Sequence, residues 1–201
     1  MKWPLILAVV LLVTGSVISA YWRDQVNSGG TVQSKLFYLA LDLSSTRVRY
    51  GGWVEVNVTL FYRGDVNYTV PATTASSFGY PYPCQYDTYL LSAEVLQGYY
   101  TALNYTGGKP LKLYPYWVAF CPFSVPPSSL TFLPHSDEVS LNYGSKGPST
   151  TLFREEIVLN VSSVFAGPGL EAEPLAPGVY TVVAWNFIGQ VVTAHFVVQD
   201  R

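Results

Sequence analysis

From residue 35 to the C-terminus, apolar and polar positions alternate with period 2, interrupted by Gly, Pro, Asn and Ser, and no stretch sustains an i, i+3, i+4, i+7 apolar spacing over three turns. Alternation sends successive side chains to opposite faces of a pleated ribbon, so the chain is read as all-β. The clearest strand is 53–62, where Val54, Val56, Val58, Leu60 and Tyr62 share one face while Glu55, Asn57 and Thr59 share the other. Further strands are predicted at 35–43, 66–70, 88–95, 116–121, 151–161, 179–186 and 190–199, with 88–103 forming a hairpin. Eight or so short strands in one chain make a sandwich the expected architecture.

The N-terminus breaks this pattern. Twenty uncharged residues lie between Lys2 and Arg23, most apolar from Trp3 to Val13 and then diluted by Thr14, Gly15 and Ser16. Two readings stay open. One is a signal peptide over residues 1–20, with Lys2 as its positive end and cleavage after Ala20. The other is an uncut signal anchor, since twenty helical residues just cross a hydrocarbon core of about 30 Å, with Trp3, Tyr21 and Trp22 at its interfaces. Either reading exports the remainder to the cell surface or beyond. Residues 21–34 are polar and Gly-containing and are read as a linker, leaving 35–201 as the folded domain.

Composition narrows the function. At 201 residues and 22.2 kDa one domain is expected. Charged residues are only 12% and the net charge is -2, so no basic excess is available for a phosphate backbone, and nucleic-acid binding is excluded as an expectation. Cys84 and Cys121 are the two cysteines; in an oxidising compartment they are expected to form a disulfide closing a loop of roughly 38 residues, which would constrain the unfolded chain by about 3–4 kcal/mol. Asn57, Asn67, Asn104 and Asn160 each begin an Asn-x-Ser/Thr sequon, and export would make them candidate glycosylation sites.

Near the C-terminus, a hairpin around Phe187-Ile188-Gly189 follows the string Leu175-Ala176-Pro177-Gly178-Val179-Tyr180. That string resembles the L-x-P-G-x-Y tyrosine corner of Greek-key sandwiches. The chain accordingly resembles the immunoglobulin-like sandwiches of archaeal and bacterial cell-surface proteins, over residues 35–65 and 150–199. The resemblance implies that Tyr180 is the structural tyrosine at the start of strand F, its hydroxyl bonded back to the chain, and that 190–199 is strand G. It departs from antibody-type domains in its cysteines, which do not fall on strands B and F and imply a bridge local to an elaboration. It also implies a sharper possibility, a filament subunit that polymerises by strand donation, with residues 35–43, apolar on both faces, as the donor; the alternative is that 35–43 is an ordinary first strand paired within its own domain.

Residues 71–127 interrupt the sandwich pattern with nine of the sixteen tyrosines and repeated prolines. A connection of this length is usually functional or carries structure of its own. It is read either as a binding face of rigid aromatics, with Tyr99, Tyr100 and Trp117 as candidates, or as a satellite core beneath an insertion. Catalytic patterns are sparse. His195 lies within a predicted strand beside Thr193 and Val197 and is read as a sheet-surface histidine; His135 lies in a Pro-His-Ser-Asp turn. Glu155 and Glu156 are adjacent on one strand and so face opposite ways, unlike a paired-carboxylate site. No phosphate loop, nucleophile elbow or metal-ligand spacing is present. The expectation is a non-catalytic protein with no cofactor and no metal, structural or adhesive, whose partners are other envelope proteins or copies of itself. The alternative is a carbohydrate-binding module or accessory ectodomain of a membrane complex.

Overall fold

A computed structural model describes residues 29–71, 90–114, 127–146, 150–166 and 171–200, and these are all-β. The signal or anchor segment 1–20, Cys84, Cys121 and Trp117 lie outside the described residues.

Two four-stranded sheets form the sandwich. The first has the order β1-β2-β4-β11, from β1 (Gly29–Gln33), β2 (Phe37–Leu43), β4 (Val54–Tyr62) and β11 (Glu156–Val161). The second has the order β3-β15-β14-β6, from β3 (Arg47–Arg49), β6 (Leu91–Gln97), β14 (Gly178–Asn186) and β15 (Val191–Gln199). All pairings are antiparallel except β3 with β15, which is parallel. The alternation in β4 does what its sequence predicts: Val54, Val56, Val58 and Leu60 are fully buried while Glu55 and Asn57 face solvent. These side chains meet Val182, Ala184, Ala194 and Phe196 of the opposite sheet in one core. Each fully buried Val or Leu contributes about 1.5–3 kcal/mol, set against the entropy of ordering the chain.

A third sheet, of order β10-β9-β8-β5, extends the sandwich at one end; its strands are β5 (Tyr68–Pro71), β8 (Ser129–Phe132), β9 (Glu138–Asn142) and β10 (Thr151–Arg154). An aromatic cluster seals it to the sandwich: Phe37, Tyr62, Tyr68, Phe132 and Phe187 meet with centroid separations such as 5.0 Å for Phe37–Phe132 and 5.7 Å for Phe132–Phe187. Phe187 enters from the β14–β15 turn, which is why that turn carries a buried aromatic beside the exposed Ile188. A small sheet of β7 (Leu113–Tyr114), β12 (Ser163–Ala166) and β13 (Glu171–Pro174), in the order β13-β12-β7, completes the architecture.

Three expectations are corrected. The linker 21–34 is not linker throughout, because Gly29–Gln33 pairs with β2 as an edge strand lying against β15. Gly30 makes this approach possible in space: a Cβ there would stand 2.7 Å from Val192 Cγ2 and 3.0 Å from the Thr193 carbonyl. Residues 151–161 form two strands in different sheets, divided at Glu155, whose N–H donates to Asp137 and whose carbonyl accepts from Leu60. Residues 88–103 do not form a hairpin; β6 pairs with β14 instead, and the chain after it folds over the sheet.

Candidate functional site

That overlying segment, residues 98–112, builds the densest polar and aromatic arrangement among the described residues. It begins at Gly98, whose φ of +113° is a conformation that L side chains rarely adopt. The turn lays Tyr99 and Tyr100 across the outer face of the second sheet, where the paired residues Thr181 and His195 stand. The Tyr100 N–H donates to Thr181 Oγ1 at 2.9 Å, the Thr181 hydroxyl donates to the Gly98 carbonyl at 2.7 Å, and His195 Nε2 meets the Tyr100 carbonyl at 2.7 Å. A carbonyl only accepts, so Nε2 carries the proton and Nδ1 is the bare nitrogen. Nδ1 is buried without a hydrogen-bond partner. Tyr99 stacks on the imidazole with ring centroids 4.2 Å apart and planes 11° from parallel.

This geometry revises the reading of His195. It shares the expected sheet face with Thr193 and Val197, but at 4% exposure it is buried under Tyr99 rather than displayed. Burial lowers its pKa from the ordinary histidine value, against the opposing bond to the Tyr100 carbonyl. The imidazole is therefore a neutral clamp that fixes the overlying segment, not a solvated base.

Farther along, Tyr105 stacks on Trp185 at 6.2 Å, and a bridge between Leu96 and Pro110 returns the chain to the sheet edge. Gly108 fits this approach, since an added Cβ would stand 2.7 Å from Leu96 Cδ1 and that side chain would have to shift. Of the three aromatics expected to form a binding face, Tyr99 is exposed, Tyr100 is half-buried, and Trp117 lies outside the described residues. The segment thus covers the sheet as a satellite core does, while leaving Tyr99 partly in solvent.

The Tyr180 hydroxyl donates to the Ala176 carbonyl at 2.7 Å, four residues upstream, and its ring stacks on Phe196 at 5.2 Å. Burial raises its pKa. A second tyrosine works similarly at the other end of the sandwich, where the Tyr62 hydroxyl donates to the Val66 carbonyl at 2.7 Å.

All four sequon asparagines are exposed, in two settings. Asn57 and Asn160 stand on the outer face of the first sheet, where Asn57 pairs with Val158 and Asn160 with Glu55, which makes them diagonal neighbours on adjacent strands. Asn67 and Asn104 stand in connections, the first just before β5 and the second just before a single 3-10 turn (Tyr105–Gly107). The expected glycosylation sites are therefore distributed over both faces of the sandwich.

Elsewhere, His135 Nε2 lies 2.9 Å from Asp65 Oδ1 in an exposed pair, and Arg154 lies 3.9 Å from Asp137. Among the described residues no three His, Cys, Asp or Glu side chains gather as a metal site. Glu155 and Glu156 do face opposite ways: Glu156 is exposed, while Glu155 is fully buried and its Oε1 accepts the Leu90 N–H at 3.0 Å. Sequence reasoning missed Thr181 and Glu155. Neither leaves a sequence signal: Thr181 meets Gly98 and Tyr100 only across more than eighty residues, and Glu155 falls at a break between two strands that the composition does not mark. No protein-family model matches the chain, and no curated protein matches it.

Proposed function

We propose that the chain is a non-catalytic, exported protein of the cell surface, with a structural or adhesive role, built on an immunoglobulin-like Greek-key sandwich. The observation that carries the proposal is the exposure of all four sequon asparagines on an all-β domain preceded by an apolar N-terminal segment. The immunoglobulin-like reading is supported by strand order. The series β2-β4-β11 corresponds to A-B-E and β15-β14-β6 to G-F-C, with Tyr180 at the start of the strand in the F position. In this reading residues 1–20 are the signal peptide or anchor, Cys84 and Cys121 are bridged, no cofactor is used, and the partners are other envelope proteins or further copies in a filament.

The experiment is the intact mass of the native protein, with and without reductant. Loss of residues 1–20 with added hexose supports a released or polymerising subunit; an intact N-terminus with sugar supports an anchored ectodomain. A full-length, unglycosylated chain in the cytosol sinks the proposal. A second reading, a carbohydrate-binding module, is favoured by one observation: Tyr99 is stacked flat on His195 and is 37% exposed. Aromatic faces stack on the apolar faces of sugars, so Tyr99→Ala should abolish retention on polysaccharide resin if this reading holds. Equal retention of wild type and Tyr99→Ala sinks it.

A further inference from the structure

Each sheet ends in two strands, and these end strands differ in how well their outer edges are guarded. An outer edge carries backbone N–H and C=O groups that another strand can join, and proteins blunt it by shortness, Pro, charged side chains or a covering segment. β3 is three residues with Arg47 and Arg49 exposed, and β7 is two residues. β5 ends in Pro71, β13 carries Glu171, Glu173 and Pro174, and the four residues of β10 end in Arg154. β1 opens with two glycines, which weaken a strand, and lies against β15. β6 is met by its own chain, the Leu111 N–H donating to the Val95 carbonyl at 2.8 Å. β11 differs from all of these: Glu-Ile-Val-Leu-Asn-Val is six residues long, without Gly, Pro, Lys or Arg, and its one charge is Glu156.

The direction of its backbone groups follows from one bond. The Leu60 N–H donates to the Glu155 carbonyl at 3.1 Å, and the antiparallel register continues from Glu156 opposite Thr59 to Val161 opposite Val54. Hydrogen-bonded pairs recur at every second residue, so Ile157, Leu159 and Val161 turn their backbone groups toward β4, while Glu156, Val158 and Asn160 turn theirs to the outer edge. No strand among the described residues pairs with them there. The side chains of the same three residues stand exposed on the outer face of the sheet.

We propose that two copies of the chain pair β11 with β11, antiparallel, about a twofold axis at Val158, joining their first sheets into one. This register sets Val158 against Val158 of the second copy, and Glu156 against its Asn160 on both sides of the axis. An Asn amide donates and a carboxylate accepts, so the flanking pairs are complementary and no like charges face each other. Moving the axis by one residue destroys the match: about Ile157, Glu156 faces Val158, and about Leu159, Val158 faces Asn160. The outward N–H and C=O groups of Glu156, Val158 and Asn160 then bond to the second copy as an added strand bonds to a sheet edge. A second copy is the occupant because the strand is complementary to itself. The pairing needs only the folded domain and is independent of the export reading, but it requires Asn160 to be bare, since a sugar there would stand at the seam.

The test holds the full chain, produced without glycosylation, in a mild detergent and follows sedimentation equilibrium over a range of concentrations, beside Val158→Lys and Val158→Glu. Wild type is expected to show a monomer–dimer equilibrium, and each variant to raise the dissociation constant by about tenfold or more, because the axis sets like charges face to face. An equal mixture of the two variants should recover the dimer, since opposite charges then meet. Hydrogen exchange of wild type gives a readout free of substitutions: the Glu156, Val158 and Asn160 amides should slow as concentration rises, and the amides of β1 should not. A wild type that stays monomeric, variants that dimerise as well as wild type, a mixture without recovery, or β11 amides indifferent to concentration overturns the proposal. The native protein separates this from export. Sugar on Asn160 of an exported chain overturns the dimer and leaves the surface reading standing, whereas a cytosolic, unglycosylated chain whose β11 amides slow with concentration overturns the surface reading alone.

Discussion

Replacing Tyr180 by Phe removes one hydroxyl and keeps the ring, so it isolates the hydrogen bond that closes the turn into β14. The bond is short, 2.7 Å to the Ala176 carbonyl, and Tyr180 is 2% exposed. Two limits bracket the cost. An acceptor left buried and unpaired would cost up to about 3 kcal/mol, whereas one that water can reach costs only the net bond, about 1 kcal/mol. Ala176 is exposed, so water can replace the hydroxyl and the lower figure applies. Tyr180→Phe is therefore expected to destabilise by about 1 kcal/mol, which for a domain of this size lowers Tm by about 2–4 °C. Tyr180→Ala also removes the stack on Phe196 and opens a cavity, for about 3–5 kcal/mol. A second signature is alkaline. Burial raises the Tyr180 pKa, so its neutral form is favoured in the folded state. The unfolded chain releases this proton from about pH 10, while the folded chain releases it only above that, so the contribution is whole below pH 10 and lost as pH rises through the folded value. Urea midpoints across that range give both readouts. Equal stability of Tyr180→Phe and wild type at neutral pH, or an identical alkaline decline in both, would refute the reasoning.

Three other outcomes are expected. His195 has its pKa lowered by burial, so the unfolded chain binds a proton first; stability is full above about pH 6.5, falls as pH drops toward the lower folded value and then levels, and His195→Gln should flatten this acid decline in urea titrations. Gly30→Val forces a side chain against Val192 and the Thr193 carbonyl, costing about 1–3 kcal/mol, and hydrogen exchange should quicken in β1 before it does in β4. Glu155→Ala removes the acceptor of the Leu90 N–H from a fully buried position, costing about 1–3 kcal/mol, with the Leu90 amide exchanging faster than those of β15. A Gly30→Val protein as stable as wild type, or unchanged Leu90 exchange in Glu155→Ala, contradicts the corresponding packing account.

The strands that alternate cleanly were legible because one face of each is dry and the other wet. β4, β14 and β15 fall within a residue or two of the expected 53–62, 179–186 and 190–199. β1 was hidden for the opposite reason. Gly-Gly-Thr-Val-Gln has neither apolar periodicity nor β-branched density at its start; Gly30 lets the strand approach β15, while Gly29 lies close against Leu41 and Asp42 of β2. The break at Glu155 was equally silent, since Thr151 to Val161 keeps a plausible strand composition throughout. Only the burial of a carboxylate between two sheets, with its backbone shared between Leu60 and Asp137, reveals that one run serves two sheets.

The overlying segment poses a different difficulty. Its tyrosines were visible in the composition, but their partners are Thr181 and His195, which lie roughly eighty and ninety-five residues away. Pattern reading placed His195 on a sheet surface and passed over Thr181, because alternation reports only that a face differs from its opposite, not that it is wet. β6 carries the clue: its burial pattern is nearly continuous, which a strand shows when both faces are covered. A second sheet whose outer face is already occupied by its own chain has less of that face to offer a partner. Among the described residues, the surfaces left for association are the sheet edges and the outer face of the first sheet, where Val158 is exposed. A filament contact on a sheet edge would meet β1, whose strand pairing is to β2 alone, and this makes the Gly30→Val protein informative twice over, since loosening β1 should change self-association along with stability.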